Sequence, residues 1–294
     1  MERLKGMLFG AFVGDAYALG FHWVYDTDKI VLNADKLEGF MPPIKGSFHQ
    51  GKRKGDFTHY GDQSLLLLKS ISTNHGFDFE VFKTHWLTFM SKYEGYMDHA
   101  SKESIALLDF STHTGSSSDE LGGFSRCAPL IFYHFDDPNL HALIEKQTRM
   151  THNSDTLVQF SQFLVELLLE LIIGKTLIES IKQTAKSHPS VEKLIEKIFT
   201  RLDEDTLTVV KDIGQSCSSL FAFPTALYIA MKYSHDFKEA MRQNVLSGGD
   251  SAGRGMVIGM LLGALQGYTK IPQEWIQDLN AFEVIHNFTQ HKII

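Results

Sequence analysis

Two short glycine-containing turns place an aspartate directly before a strongly apolar segment. The stretch "SGGDSAGRG" at 247–255 contains Asp250, and the stretch "YGDQSLLLL" at 60–68 contains Asp62. An aspartate in this position can cap the following helix, because its carboxylate accepts hydrogen bonds from free N–H groups of the first turn. The same helix end also attracts anions such as phosphate. Together with Asp15, the two turns predict a shared acidic site, and simple capping is the alternative for each.

Glycines recur every four residues in the two segments that flank these aspartates. The two series are Gly6, Gly10 and Gly14 near the N-terminus and Gly255, Gly259, Gly263 and Gly267 near the C-terminus. A glycine inside a helix costs about 1 kcal/mol relative to alanine, and residues four apart lie on one helix face. We therefore expect two core helices whose bare faces pack together. If they pack antiparallel, Asp15 lies near Asp250.

Apolar residues at three- and four-residue spacing predict helices along most of the chain, and no alternating pattern predicts strands. The predicted helices span residues 3–14, 62–73, 79–93, 101–110, 156–173, 175–186, 191–202, 222–233, 236–246 and 255–267. Long loops are predicted at 40–61 and 111–126, and loops of that length are often functional. No fixed repeat and no linker-like segment divides the chain. The fold class is therefore all-α, a multi-helix bundle in a single domain over residues 1–294.

The composition is typical of a soluble globular protein, with 43% apolar and 21% charged residues. The formal net charge of −7 argues against a nucleic-acid or membrane partner. We expect the basic run at 51–56 to be a solvated loop. Cys127 and Cys217 are expected to be free thiols in a reducing compartment. Without a signal-peptide pattern, and with glutamates inside the apolar segment 157–173, a cytoplasmic location is expected.

Six segments together resemble the ADP-ribosylglycohydrolase family over almost the whole chain. They are "GAFVGDAYALGFHWVYD" (10–26), "GDFTHYGDQSLLLL" (55–68), "GGFSRCAPLIF" (122–132), "THNSD" (151–155), "SGGDSAGRGMVIGMLLGALQGY" (247–268) and "IPQEW" (271–275). The resemblance implies an all-helical orthogonal bundle that hydrolyses the N- or O-glycosidic bond of ADP-ribose to a protein side chain, or a related bond. It also implies two Mg²⁺ or Mn²⁺ ions as cofactors, and ADP-ribose or an ADP-ribosylated substrate as the partner.

The metal-binding motifs of that family are only partly present. Its usual motifs are Thr-Asp-Asp-Thr before one helix and Gly-Gly-Asp-x-Asp-Thr before the last. Here the first is replaced by Tyr-Gly-Asp-Gln at 60–63 and the second by Gly-Gly-Asp-Ser-Ala-Gly at 248–253. Mg²⁺ needs about six oxygen ligands, so we expect Mg²⁺ or Mn²⁺ to be bound weakly at most, by Asp62 and Asp250. With these incomplete motifs the chain resembles a divergent branch of the family, which includes the J-type crystallins and a related selenoprotein.

Asp62, Asp250 and His22 are the candidate catalytic residues. His22 stands near the position of an acid that assists catalysis in the family, and an imidazole can exchange a proton near neutral pH. No His-x-x-x-His pair or Cys-x-x-Cys motif supports zinc binding. A zinc site is therefore not expected from the loop histidines His49, His59 and His113.

Aromatic and polar residues near these motifs are candidates for substrate binding. Trp23 and Tyr25 can stack on adenine or ribose, although packing in the core is the alternative for both. Arg254 follows Asp250 by one helical turn and can pair with it or bind phosphate. The resemblance places Ser125 and Arg126 in a loop that approaches the ligand's phosphates and ribose. The remaining candidates are Asp15, Gln63, His152 and Ser251.

Two functions remain open from the sequence. The first is hydrolysis of an ADP-ribosyl or related glycosidic bond, which the whole-chain resemblance implies. The second is a catalytically inactive protein that binds a nucleotide-sugar or has a crystallin-like structural role, which the missing metal ligands favour.

Overall fold

The computed structural model describes residues 1–108 and 112–290. Within these residues the fold is all-α, as predicted, with no strand and two isolated β-bridges, Ser116–His152 and Glu120–Ser218. The helices are α1 (Glu2–Ala18), α2 (Thr27–Val31), α3 (His59–Thr73), α4 (Phe79–Met90), α5 (His99–Leu107), α6 (Gly122–Ser125), α7 (Ala128–His134), α8 (Leu140–Arg149), α9 (Asp155–Ile172), α10 (Leu177–Ala185), α11 (Pro189–Phe199), α12 (Thr206–Ile213), α13 (Ser219–Lys232), α14 (Phe237–Leu246), α15 (Ser251–Gln266), α16 (Gln273–Gln277) and α17 (Phe282–Gln290). Short 3₁₀ turns lie at Leu19–Phe21, Ala34–Lys36 and Tyr268–Lys270.

The helices α1 and α15 pack against each other along their glycine faces. A Cβ atom added at Gly10 would lie 2.7 Å from the carbonyl carbon of Gly259 and closer still to its oxygen. Gly14 faces Gly255 in the same way, and Gly6 faces Gly263. This order of pairs makes the helices antiparallel, which confirms the prediction from the glycine spacing. The last glycine of the series, at 267, follows α15 with a φ of +90°.

Both helices lie at the centre of the protein. Every residue from 6 to 18 in α1 and from 251 to 264 in α15 is buried, and a helix that is apolar on all sides belongs in the interior. Because the two helices are antiparallel, the C-terminal end of α1 and the N-terminal end of α15 lie at the same end of the pair. The fold therefore brings the chain around Asp15 and Asp250 together.

The other predicted helices exist with shifted ends. α3 begins at His59 rather than at 62, because the Thr58 hydroxyl accepts a hydrogen bond from Tyr60 N at 3.2 Å and caps it there. The last two residues of the helix predicted at 101–110, and the first residue of the loop predicted at 111–126, lie outside the described residues. That loop contains the one-turn helix α6.

Several helices were not predicted from the sequence. α2, α6, α7, α12 and α16 have at most eight residues, so each offers too few turns for an apolar period to be recognised. α17, with nine residues, was also missed. α8 is longer, but its segment is polar on average and buries only a narrow stripe.

A single cluster of buried apolar side chains extends from Leu4 to Ile285. α9, a strongly apolar helix, packs in this core, and none of the described helices has the length and apolarity required of a membrane span. Cys127 is buried and Cys217 partly buried, and both are free thiols.

Candidate functional site

Several helix ends meet at one end of the α1–α15 pair. The chain leaving α1 carries His22, the loop before α3 carries His49, and α3 begins with His59. Asp98 caps α5 and Asp250 caps α15. We call these five residues the helix-tip cluster, and none of their side chains is more than slightly exposed. Ionisable groups gathered in a buried position are a common property of functional sites.

Asp250 is held by the glycine turn that precedes α15. Gly248 and Gly249 have φ angles of +68° and +69°, which glycine adopts most readily. Asp250 Oδ1 accepts a hydrogen bond from Gly253 N at 3.0 Å, so this aspartate does cap its helix. Its Oδ2 is buried and has no hydrogen-bond partner among the described residues. Burial raises the pKa of Asp250 to about 6, although the positive charge of Arg254 opposes the shift.

Asp15 and Asp62 interact with different partners. Asp15 is fully buried and accepts hydrogen bonds from the Thr58 N–H at 2.8 Å and the Thr58 hydroxyl at 2.6 Å. Burial raises its pKa to about 6, and the hydrogen bonds from Thr58 limit the rise. Asp62 Oδ2 accepts hydrogen bonds from Lys52 Nζ and Tyr93 OH, each at 2.5 Å. Because Thr58 caps α3, the alternative that Asp62 is the cap is wrong.

Three imidazole rings lie together in the helix-tip cluster. His49 Nε2 and His59 Nδ1 are 3.3 Å apart, and one ring nitrogen from each of His22, His49 and His59 lies within 4.8 Å of the others. The second nitrogen of His59, Nε2, is 3.2 Å from Asp98 Oδ2, an ion-pair contact rather than a well-directed hydrogen bond. Burial lowers the pKa of His49 to about 3 and holds that of His22 well below its usual value, and neighbouring histidines add to both shifts.

A second group of ionisable side chains borders the cluster. Asp98, Glu120 and His152 each have one oxygen or nitrogen atom within 4.8 Å of the others. Burial, and then the negative charges of Asp98 and Asp250, raise the pKa of Glu120 to about 7. Burial also disfavours the charged form of Asp98, but the contact with His59 outweighs it and holds the pKa of Asp98 well below the usual range. At neutral pH this pair therefore combines an ionised carboxylate with a carboxyl group that can carry a proton.

Ser125 and Arg126, predicted to approach a ligand, are buried in an internal network. Arg126 donates hydrogen bonds to Gln63 Oε1 and to Thr151 Oγ1. His152 Nδ1 contacts the same Thr151 hydroxyl at 3.0 Å. Burial, assisted by the charge of Arg126, lowers the pKa of His152 to about 3. Through these contacts Gln63, Arg126 and His152 connect α3 with the end of α6 and the segment after α8.

Arg254 and Ser251 also make their contacts inside the protein. Arg254 Nε donates to Asn244 Oδ1 at 3.0 Å, and another of its nitrogens donates to Asn244 O at 3.2 Å and to Gly248 O. The direct ion pair with Asp250 that the spacing suggested is absent from the described part of the chain. The carbonyl of Ser251 accepts from Asn244 Nδ2 at 2.7 Å. Arg254 therefore fastens the glycine turn to α14.

Aromatic side chains form the outer boundary of the cluster. Trp23 stacks on His22 with ring centroids 4.3 Å apart, and Tyr96 meets Trp23 edge-on at 5.0 Å. Phe48 packs on Tyr96 with centroids 5.1 Å apart and is 58% exposed, and Tyr25 is 49% exposed. We call Trp23, Tyr25, Phe48 and Tyr96 the aromatic rim. Rings that are partly open to solvent can stack on a nucleobase.

The residues of this site do not fit a pair of Mg²⁺ or Mn²⁺ ions. Two divalent ions about 3.5–4 Å apart need several carboxylates to offset their mutual repulsion. Asp62 is already paired with the ammonium group of Lys52, and both oxygens of Asp15 accept hydrogen bonds from Thr58. Asp250 keeps a free oxygen within the described residues, but its neighbourhood is rich in imidazole nitrogen, which is a poor ligand for Mg²⁺.

Sequence reasoning gave no site role to four residues of this region: His49, His59, Asp98 and Glu120. It considered His49 and His59 only for a zinc site, which it did not expect. The four residues come from separate loops and helix starts, so no spacing along the chain connects them. His113, the third loop histidine considered for zinc, lies elsewhere. Its Nδ1 atom is 3.1 Å from Glu80 Oε1. The one signal in the sequence was the Asp-x-x-Ser pattern at 98–101, typical of a helix N-terminus, where Asp98 accepts a hydrogen bond from the serine N–H at 2.8 Å.

Comparison with known proteins agrees with this architecture. The profile of the ADP-ribosylglycohydrolase family matches residues 1–293. Crystallin J1A of Tripedalia cystophora is 23% identical, over 94% of this chain and 91% of its own length, and crystallin J1B of the same organism is 22% identical, over 98% and 96%. A solved structure titled "ADP-ribosylglycohydrolase-related protein complex" has a TM-score of 0.76 at 22% identity, over 99% of this chain and 96% of that one, which shows a common fold. Because the family profile matches almost every residue, the chain belongs to the ADP-ribosylglycohydrolase family.

Proposed function

We propose that the protein is a hydrolase that cleaves the glycosidic bond of an ADP-ribosyl group or of a closely related nucleoside-sugar compound. Membership of the family over residues 1–293 supports this substrate class. The observation that carries the proposal is the pairing of partly buried Glu120 with buried Asp98, which have carboxyl oxygens within 4.8 Å of each other. Burial raises the pKa of Glu120 to about 7, whereas the contact with His59 keeps Asp98 ionised. Glycosidases commonly use one protonated and one ionised carboxyl group at the scissile bond. A single domain and a cytoplasmic location complete the proposal.

Glu120 is the proton donor in this reaction. It gives its proton to the nitrogen or oxygen of the leaving group while the bond to the anomeric carbon breaks. The negative charge of Asp98 stabilises the positive charge that develops on the sugar ring. Water then adds its hydroxyl group to the anomeric carbon, and the proton released from that water returns to Glu120. The side chain is thereby restored for the next cycle.

Binding of the nucleotide part is assigned to the aromatic rim. Its partly exposed rings offer stacking surfaces near Asp98 and Glu120, and stacking on an aromatic ring contributes about 1–3 kcal/mol per base. Asp250, with one unpartnered oxygen within the described residues, is assigned to accept a hydrogen bond from a ribose hydroxyl. Asp62 is less suited to catalysis than Glu120, because the ammonium group of Lys52 already neutralises it.

Release of ADP-ribose from N- and O-linked ADP-ribosylated peptides tests the hydrolase. Glu120→Gln keeps the size of the side chain but removes the proton donor, so we expect a loss of about 10²- to 10⁴-fold in rate. Glu94→Gln, at an exposed residue between α4 and α5, is the matched control and should leave the rate unchanged. Activity should also fall as pH rises above about 7, because Glu120 then loses its proton. Equal rates for the Glu120 and Glu94 variants would exclude the assigned role.

Binding without turnover is the second candidate function. It is favoured by the neutralised Asp62 and by the similarity to two proteins named as crystallins. Calorimetry with ADP-ribose should then show binding that Trp23→Ala weakens, while the ADP-ribosylated peptides stay intact. If the protein neither binds nor hydrolyses these compounds, a structural role is the remaining interpretation.

A further inference from the structure

We propose that His22, His49 and His59 form a binding site for one transition-metal ion of the zinc class. The three rings come from three different segments and meet in the interior, each at most 1% exposed. One nitrogen of each lies within 4.8 Å of the other two. Imidazole nitrogen is a good ligand for Zn²⁺, Cu²⁺ and Ni²⁺, whereas Mg²⁺ prefers oxygen. The site therefore differs in both ligands and metal class from the carboxylate pair site that the family motifs imply.

The separation of the ring nitrogens suits tetrahedral coordination. A Zn–N bond is about 2.0–2.1 Å long, so two nitrogens on a tetrahedral zinc ion are about 3.3–3.4 Å apart. His49 Nε2 and His59 Nδ1 are already 3.3 Å apart. The nitrogen of His22 has only to approach to the same distance from within 4.8 Å. Three histidines with an open fourth position form a well-known kind of zinc site.

Second partners orient two of the three rings. Histidines that bind metals usually give their other ring nitrogen to a carboxylate or a carbonyl group. His59 Nε2 lies 3.2 Å from Asp98 Oδ2, which leaves Nδ1 free to face the metal. His22 Nδ1 accepts a hydrogen bond from Ala252 N at 3.3 Å, and Asp250 Oδ1 lies 3.7 Å from the same nitrogen. The two carboxylates also supply negative charge beside a dication.

The unpartnered atoms of the region fit the same interpretation. His22 Nε2 is buried without a hydrogen-bond partner in the described residues, and so is Tyr60 OH. The ring of Tyr60 lies 3.9 Å from that of His59, centroid to centroid. A buried polar atom without a partner costs free energy, and a metal ion would satisfy the His22 nitrogen.

Metal binding would change the tautomer of His22. Ala252 N now lies within hydrogen-bond distance of His22 Nδ1, at 3.3 Å, and this contact keeps the proton of the neutral ring on Nε2. Coordination through Nε2 moves the proton to Nδ1, which requires the ring to turn from the Ala252 N–H toward Asp250 Oδ1, now 3.7 Å away. The alternative without metal is a chain of histidine hydrogen bonds, in which His49 Nε2–H donates to His59 Nδ1. The two states differ in which nitrogens carry protons, so they can be distinguished by spectroscopy.

The test is a metal titration of the full-length protein after treatment with a chelator. Zn²⁺, Co²⁺ and Mg²⁺ are added separately and followed by calorimetry, and Co²⁺ is followed also by the visible absorption of its tetrahedral complexes. We expect one Zn²⁺ or Co²⁺ ion per chain, no comparable binding of Mg²⁺, and a tetrahedral Co²⁺ spectrum. No substrate is needed, so failure of the proposed hydrolase would not affect the result.

Variants identify the ligands. His49→Gln should weaken Zn²⁺ binding by at least about 100-fold, whereas His99→Gln, at a histidine whose side chain is 87% exposed, should leave it unchanged. If His49→Gln does not fold, ¹⁵N NMR of the wild-type histidines provides the second measurement, because the Nε2 signal of His22 must change from protonated to coordinated on addition of Zn²⁺. Absence of Zn²⁺ binding at micromolar concentration, equal binding by both variants, or an unchanged His22 signal would overturn the proposal.

Discussion

Replacing Gly10 by alanine should destabilise the protein by about 2 kcal/mol or more. The new Cβ would lie 2.7 Å from the carbonyl carbon of Gly259, whereas ordinary contact begins at 3.4 Å. The two backbones must therefore separate by at least 0.7 Å, the difference between these two distances. The obstructing atoms belong to the backbone of a buried helix, so no side chain can rotate out of the way.

The magnitude follows from two opposing contributions. Overpacking a filled interior costs about 1–3 kcal/mol and sometimes more, and the upper end applies because both helices are buried along most of their length. Alanine improves helix propensity by about 1 kcal/mol over glycine. The difference leaves a loss of about 2 kcal/mol, and local separation of α1 from α15 adds to it through lost dispersion contacts.

Urea unfolding followed by circular dichroism measures the effect. Gly39→Ala is the matched control, because a Cβ atom there meets only Trp275 Nε1, at 3.6 Å, and should change the free energy of unfolding by less than about 0.5 kcal/mol. Gly259→Ala fills the same gap as Gly10→Ala from the opposite side. The double variant should therefore lose less than the sum of the single losses. A Gly10 variant as stable as the Gly39 variant would refute the close packing that places the helix-tip cluster.

Two further predictions concern charge. The free energy of unfolding should change little between about pH 6.5 and 4.5, because two effects oppose each other. The lowered pKa values of His22, His49 and His152 reduce this free energy as pH falls through 6.5. The raised pKa values of Asp15, Glu120 and Asp250 increase it over nearly the same range. Below about pH 4 the carboxyl groups with raised pKa values no longer add stability, while the histidine loss continues and the lowered pKa of Asp98 adds a further loss. Urea unfolding should therefore show a steep fall there, and a steady decline beginning at pH 6.5 would contradict this balance. Arg126→Lys should cost about 3 kcal/mol in the same assay, because lysine cannot reach both Gln63 and Thr151 from a buried position; a loss below about 1 kcal/mol would show that the network is dispensable.

The central helix pair could be predicted from the sequence, because glycine every four residues is costly in a helix unless a second backbone must come close to that face. Gly10 and Gly259 do meet at the backbone, and their partners follow in register. Asp250 as a helix cap was one of two predicted alternatives, and Gly253 N confirms it. Both signals, the glycine spacing within each helix and the aspartate directly before α15, involve residues that are neighbours along the chain. They can therefore be recognised in the sequence.

The buried cluster could not be predicted, because its members are neighbours only in the folded protein. His22, His49 and His59 lie on three segments with no common spacing, and contact between them requires the long loop before α3 to fold back. The same limit applies to Lys52, whose basic run was expected to be solvated, yet its ammonium group lies on Asp62 with its side chain 20% exposed.

A site with several histidines and few carboxylates is held together differently from a site built of carboxylates. Several carboxylates packed side by side repel one another unless cations neutralise them, so a site of that kind depends on its metal ions for stability. Here Asp62 is neutralised by Lys52, and the cluster contains imidazole rings that burial keeps in the neutral form. Neutral rings can be buried with or without an ion. A metal bound by these nitrogens would therefore be a ligand that the folded protein can gain or lose rather than a requirement for folding.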